Sequence, residues 1–68
     1  MKVCLEQNSF FVEKGDVINL IPTKNGTIIT FNNVELGINS NLNIKNNCIG
    51  VVMNKFNNIL EIAKIGGV

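Results

Sequence analysis

The stretch "VINLIPTKNGTIITFNNVELGI", residues 17–38, decides the fold. Three runs rich in Val, Ile and Thr are separated by Lys24-Asn25-Gly26 and by Asn32-Asn33. β-branched residues suit a pleated surface, and Gly and Asn supply the positive φ that tight hairpin turns require. The stretch therefore reads as a three-stranded antiparallel meander, with strands near 17–22, 27–31 and 34–38.

Pro22 restricts the register. A two-residue Asn25-Gly26 turn would place it opposite Ile29 at a hydrogen-bonded site, where it has no N–H to give. An edge position would rescue that arrangement. A three-residue Lys24-Asn25-Gly26 loop, with Gly26 left-handed, moves Pro22 opposite Ile28 at a non-bonded site and is the preferred register. An Asn32-Asn33 turn then pairs Phe31 with Val34, Ile29 with Leu36 and Thr27 with Ile38. One face would carry Val17, Ile21, Ile29, Phe31, Val34, Leu36 and Ile38, interrupted by Asn19. The other would carry Ile18, Leu20, Ile28, Thr30 and Glu35, too apolar for a face left in water. Either the remaining strands or a second copy of the chain must cover it.

Working outward, turn signals recur between short apolar runs, with further strands near 2–7, 10–13, 42–45, 48–53 and 59–65. Many short strands at such spacing signify an all-β sandwich or barrel. The expectation is one small all-β domain over residues 1–68, a barrel or sandwich (SH3-like or OB-like) of antiparallel hairpins, with one short C-terminal helix as an open option. The helix enters through "KFNNILEIAK" at 55–64, which shares Phe-Asn-Asn, an aliphatic and a glutamate with "TFNNVELGIN" at 30–39. As a strict repeat, Phe56 pairs with Ile59, which sets Lys55 against Leu60 and Asn54 against Glu61. As a three-residue hairpin with Asn57 left-handed, Val52 pairs with Leu60 and Met53 with Ile59, which packs better and is preferred. As a helix capped by Asn54, residues 56, 59, 60, 62 and 63 share one side, although two Asn and two Ile make a poor helix-former.

Composition bounds the function. A chain of 68 residues buries only about 60% of its unfolded surface, and such domains often add disulfides, a metal or self-association. Ten Ile and seven Val dominate the 46% hydrophobic content, and Trp, Tyr, His and Arg are absent. Thirteen Asn with Lys as the basic residue fit AT-rich codons, hence a low-GC bacterial or phage gene. Six Lys against five acids give a net charge of +1 without a basic run, unlike the clustered excess of nucleic-acid binders. No apolar stretch approaches the ~20 residues of a membrane span. "MKVCLEQN" at 1–8 turns polar too soon for a signal peptide, so a cytoplasmic location is expected. Cys4 and Cys48 read as two buried reduced thiols, too few for a zinc site in one chain.

No catalytic constellation is visible. Without His, a nucleophile would need a Lys or carboxylate partner, and no spacing brings two of Glu13, Asp16, Glu35 and Glu61 together. The chain reads as no enzyme, with no cofactor and no metal. "VEKGDV" at 12–17 concentrates charge around Gly15, so Lys14 and Asp16 could display a binding loop, though a solvated turn is the simpler reading. Asn25-Gly26-Thr27 matches a glycosylation sequon but lacks a secretory context, and "KIGGV" at 64–68 reads as a frayed terminus. Phe10 and Phe11, if both in a strand, point to opposite faces, so one of them faces solvent, a ligand or a partner. Phe56 is a second exposed aromatic if it tops a turn. Such rings stack on bases or anchor subunit contacts, and the weak charge favours the latter.

"GDVINL" at 15–20 and "VELGIN" at 34–39 resemble parts of the carbon-storage regulators, small β-rich RNA-binding dimers. The resemblance covers these stretches alone, and the basic residues near the C-terminal region of those proteins have no Arg counterpart, so no family is assigned. The functional expectation is a self-associating interaction or binding module, part of an assembly or an oligomer that sequesters a small ligand. Another protein or a small molecule could bind, through Phe10, Phe11, Lys14, Asp16 or Phe56. A nucleic-acid-binding barrel is the alternative, using the six lysines around an exposed Phe, and no membrane contact is expected.

Overall fold

The computed structural model describes residues 1–6 and 11–67. The described residues contain six strands and no helix: β1 (Lys2–Cys4), β2 (Val17–Thr23), β3 (Gly26–Phe31), β4 (Val34–Asn39), β5 (Cys48–Phe56) and β6 (Ile59–Gly67). All pairings are antiparallel, in the order β1-β6-β5-β2-β3-β4. The sheet coils into a small, nearly closed barrel measuring 27 × 22 × 21 Å. Its edge strands β1 and β4 approach where the Leu5 side chain lies against Gly37. The all-β class and the meander at 17–39 are as the sequence implied.

The β2–β3 register differs from both alternatives. Thr23 faces Gly26 across a two-residue Lys24-Asn25 turn, and Pro22 faces Thr27. The Thr23 hydroxyl closes this turn: it accepts from the Asn25 N–H at 3.2 Å and donates to the Gly26 carbonyl at 2.8 Å. Pro22 sits one place beyond the closing pair, at a non-bonded position, and beyond the last β2–β5 pair, Leu20–Cys48. Its missing N–H therefore costs nothing. Gly26 has φ +128°, and a Cβ there would strike the Asn39 carbonyl and the Ser40 Cα, so only glycine fits.

A one-residue change of register exchanges faces. Ile29 stands beside Leu20, and Ile28 beside Ile21. The interior holds Val3, Leu5, Val12, Ile18, Leu20, Ile29, Cys48, Val52, Leu60 and Ile62, with Phe31, Leu36, Leu42 and Ile44 packed against them. Ile21, Ile28 and Ile38 lie in one cross-strand row on the outside. The face with Ile18 and Leu20 is thus covered by the remaining strands, and the opposite side of the same sheet keeps its own apolar residues.

Asn32 and Asn33 form the expected turn, with φ of 51° and 65°, and pair Phe31 with Val34. A bulge at Leu36 then places Gly37, rather than Leu36, opposite Ile29, and Ile38 opposite Ile28. The helix and the three-residue hairpin proposed for 54–65 are both corrected. Phe56 pairs with Ile59, Lys55 with Leu60 and Asn54 with Glu61, the strict-repeat register, around an Asn57-Asn58 turn in which Asn57 has φ 55°. The apparent packing conflict disappears because Met53 is bulged out. That bulge returns Val52 to a position opposite Ile62, so both side chains stay inside.

Two other expected strands do not form. Residues 42–45 lie outside the ladder, because Leu42 and Ile44 cover the core while the buried Thr27 hydroxyl donates to the Leu42 carbonyl at 2.6 Å. Residues 11–13 are also outside any strand; Val12 is buried as a plug, and Phe10 lies outside the described residues. Both cysteines are free. Cys48 is in the core, but Cys4 is exposed, since β1 turns Val3 inward and Cys4 outward.

Candidate functional site

Strand alternation places two cross-strand rows side by side on the outer surface of β1, β6 and β5. The first row is Lys2, Glu61 and Asn54, and the second is Cys4, Ile59 and Phe56. Neighbouring strands lie about 4.8 Å apart and residues two apart in a strand about 7 Å, so a polar row runs parallel to a more apolar one at that spacing. Between them lies a cleft of about 280 Å³ lined by Lys2, Asn54, Phe56, Ile59 and Glu61. Phe56 is 71% exposed, the most exposed of the large apolar side chains described. It points outward with its partner Ile59, one residue along each strand from Lys55 and the buried Leu60, because successive side chains in a strand alternate between faces. Asn54 accepts from the Lys55 N–H through Oδ1 at 3.0 Å, which leaves the donor end of its carboxamide for the cleft. The turn beneath is fixed by Asn58, whose Nδ2 donates to the Leu5 carbonyl at 2.7 Å and approaches Cys4 Sγ at 3.5 Å.

The other sequence-derived candidates do not join this cleft. Lys14 and Asp16 occupy a tight turn bound to the Met53 bulge: Gly15 N–H donates to the Val52 carbonyl at 2.7 Å, and Val52 N–H to the Asp16 carbonyl at 2.9 Å. The Asp16 carboxylate accepts from the Glu13 N–H at 2.7 Å, closing the turn on itself. Its polar groups are satisfied locally, which is the work of a solvated turn. Phe11 is 56% exposed and stacks on Phe31, with centroids 6.3 Å apart and an interplanar angle of 27°. It caps the end of the core instead of standing free. Asn54 and Ile59 were not among the candidates, Lys2 entered only as one of the six lysines of the nucleic-acid alternative, and Glu61 only as an unpaired carboxylate. The β5–β6 hairpin brings Asn54, Ile59 and Glu61 together, and only the pairing of β1 with β6 adds Lys2, from the opposite end of the chain.

A second surface lies next to the first, on the outside of β3, β2, β5 and β6. Here one row is Ile28–Ile21, the next Thr30–Asn19–Ile49–Gly66 and the third Val17–Val51–Ala63. These nine positions include no charged residue; on β4, Ile38 extends the first row and the exposed Glu35 extends the second, at the margin of the face. Val17 is 52% exposed, and Ile49 and Ile38 are also exposed. Comparison with protein-family models, with curated proteins and with solved structures yields no match.

Proposed function

We propose that this chain is a non-enzymatic interaction module that self-associates through the outer face of β2, β3, β5 and β6. The observation that carries the reading is the uncharged surface formed by Val17, Ile49, Val51, Ile21, Ile28 and their neighbours. Monomers usually keep contiguous apolar patches small, and an interface core is depleted of charge. A second copy fits this surface because two uncharged faces meet without burying an unpaired charge. A standard interface takes roughly 800 Å² from each partner. That is under a fifth of the 4512 Å² this chain exposes. Association also gives a domain of this size burial that its own core lacks.

Sedimentation equilibrium of the wild-type chain against Val51→Lys and Ile49→Glu tests the reading. Dimers or larger species are expected for the wild type and monomers for both variants, with strand content retained by circular dichroism. A strictly monomeric wild type at high concentration rejects it. Nucleic acid is the second reading, favoured by the exposed Phe56 beside Lys2; Glu61 in the same cleft works against a phosphate.

A further inference from the structure

We propose that the cleft on β1, β6 and β5 binds a small zwitterion with an apolar side chain, of the α-amino-acid class. The site is separate from the self-association surface, and a monomer would carry it intact. Lys2 and Glu61 stand directly opposite each other across the β1–β6 ladder, with Cβ atoms about 5 Å apart, so a cationic and an anionic side chain rise from the same end of the cleft. That arrangement receives a carboxylate on the Lys2 ammonium and an ammonium on the Glu61 carboxylate, with Asn54 flanking Glu61 on its far side. The neighbouring row offers Ile59 and the Phe56 ring, about 7 Å along the strands. This is the reach from an amino-acid head group to the end of its side chain. Small-molecule pockets begin at roughly 300 Å³, so a cleft of about 280 Å³ is on the scale of a ligand this small.

The charges select among ligands. A phosphate-bearing nucleotide would meet Glu61 as well as Lys2, and a purely apolar molecule would leave both charges to be desolvated without partners. As a mere cross-strand pair, Lys2 and Glu61 would contribute to stability but not to any binding.

The test is a ¹H–¹⁵N NMR titration of the full chain with L-phenylalanine as the probe. Phenylpropionate, phenethylamine and uridine monophosphate serve as comparisons. Saturable shifts are expected at Lys2, Asn54, Phe56, Ile59 and Glu61, with weak affinity in the millimolar range. Each analogue lacking one charge should bind about three- to fivefold more weakly, as should L-phenylalanine to Lys2→Met and to Glu61→Gln. Phe56→Ala, at an exposed position, should weaken the probe without altering the fold. Absence of saturable shifts in the wild type overturns the proposal. So does equal binding of the single-charge analogues, or tighter binding of the nucleotide. Spectral dispersion in each variant separates lost binding from lost structure, and sedimentation of the same samples separates it from lost association.

Discussion

Replacing Gly50 with alanine places a methyl group where β5 passes under the side chains of its neighbours. Gly50 pairs with Ile18 on one side and Lys64 on the other, and its position is buried. A Cβ there would strike Ile62 Cγ2 and would lie 3.6 Å from Leu20 Cδ1 and 3.5 Å from the Ala63 carbonyl. The clash is with a branch methyl attached at Cβ, on a side chain only 2% exposed, so it cannot swing away without rotating a stiff χ1. Overpacking of this kind costs about 1–3 kcal/mol. The alanine also reduces unfolded-chain entropy, which offsets about 0.4–1 kcal/mol. The expected net loss is about 1–2 kcal/mol, against a total stability of roughly 3–10 kcal/mol for a chain of this length. The midpoint of thermal unfolding should fall by roughly 4–16 °C. With no Trp or Tyr in the chain, urea unfolding followed by far-ultraviolet circular dichroism is the suitable assay. Ile62→Leu removes the branch methyl at similar volume, so Gly50→Ala in that background should lose most of its penalty. Stability of Gly50→Ala within about 0.5 kcal/mol of wild type, or an unchanged penalty in the Ile62→Leu background, would refute the steric reasoning.

Three further outcomes are expected from the same unfolding measurements. Thr27→Val keeps the shape of a fully buried residue but strands the Leu42 carbonyl, at a cost of about 1–3 kcal/mol, with faster amide exchange over 42–44. Asn33→Ala should lose about 1 kcal/mol because at its φ of 65° the methyl lacks the side-chain amide that helps asparagine tolerate the left-handed region, whereas Asn33→Gly, with no Cβ to strain, should match or exceed wild type. Asp16→Ala removes the acceptor for the Glu13 N–H and should cost about 1 kcal/mol, with the loss centred on exchange of the 13–16 amides; an unchanged exchange pattern would show the turn to be held by its backbone bonds alone.

The sequence by itself determined what local chemistry controls. β-branched runs broken by Asn and Gly dictate strands and hairpins, and Asn32-Asn33 specifies a two-residue turn because both residues tolerate positive φ. The conflict between Pro22 and a ladder hydrogen bond was also legible, but its resolution was not. Thr23 closes the turn with its own hydroxyl, an option that favours a register one residue away. The bulges at Leu36, Met53 and Ile65 were invisible for a different reason: each is selected by which side chains fit the closed interior, and no neighbouring residue announces it. Met53 in particular reconciles an unfavourable hairpin register with the burial of Val52 and Ile62. The tertiary structure alone decided the surfaces. Register determines which β-branched residues are left outside, and the return of β1 onto β6 brings Lys2 to Glu61. Phe56 was readable as an aromatic near a turn, and Ile59, Asn54 and Glu61 were placed around it by the strict-repeat register of its own hairpin, which was not the preferred one; Lys2 was not readable, because pairing between strands so distant in sequence is set by closure of the barrel.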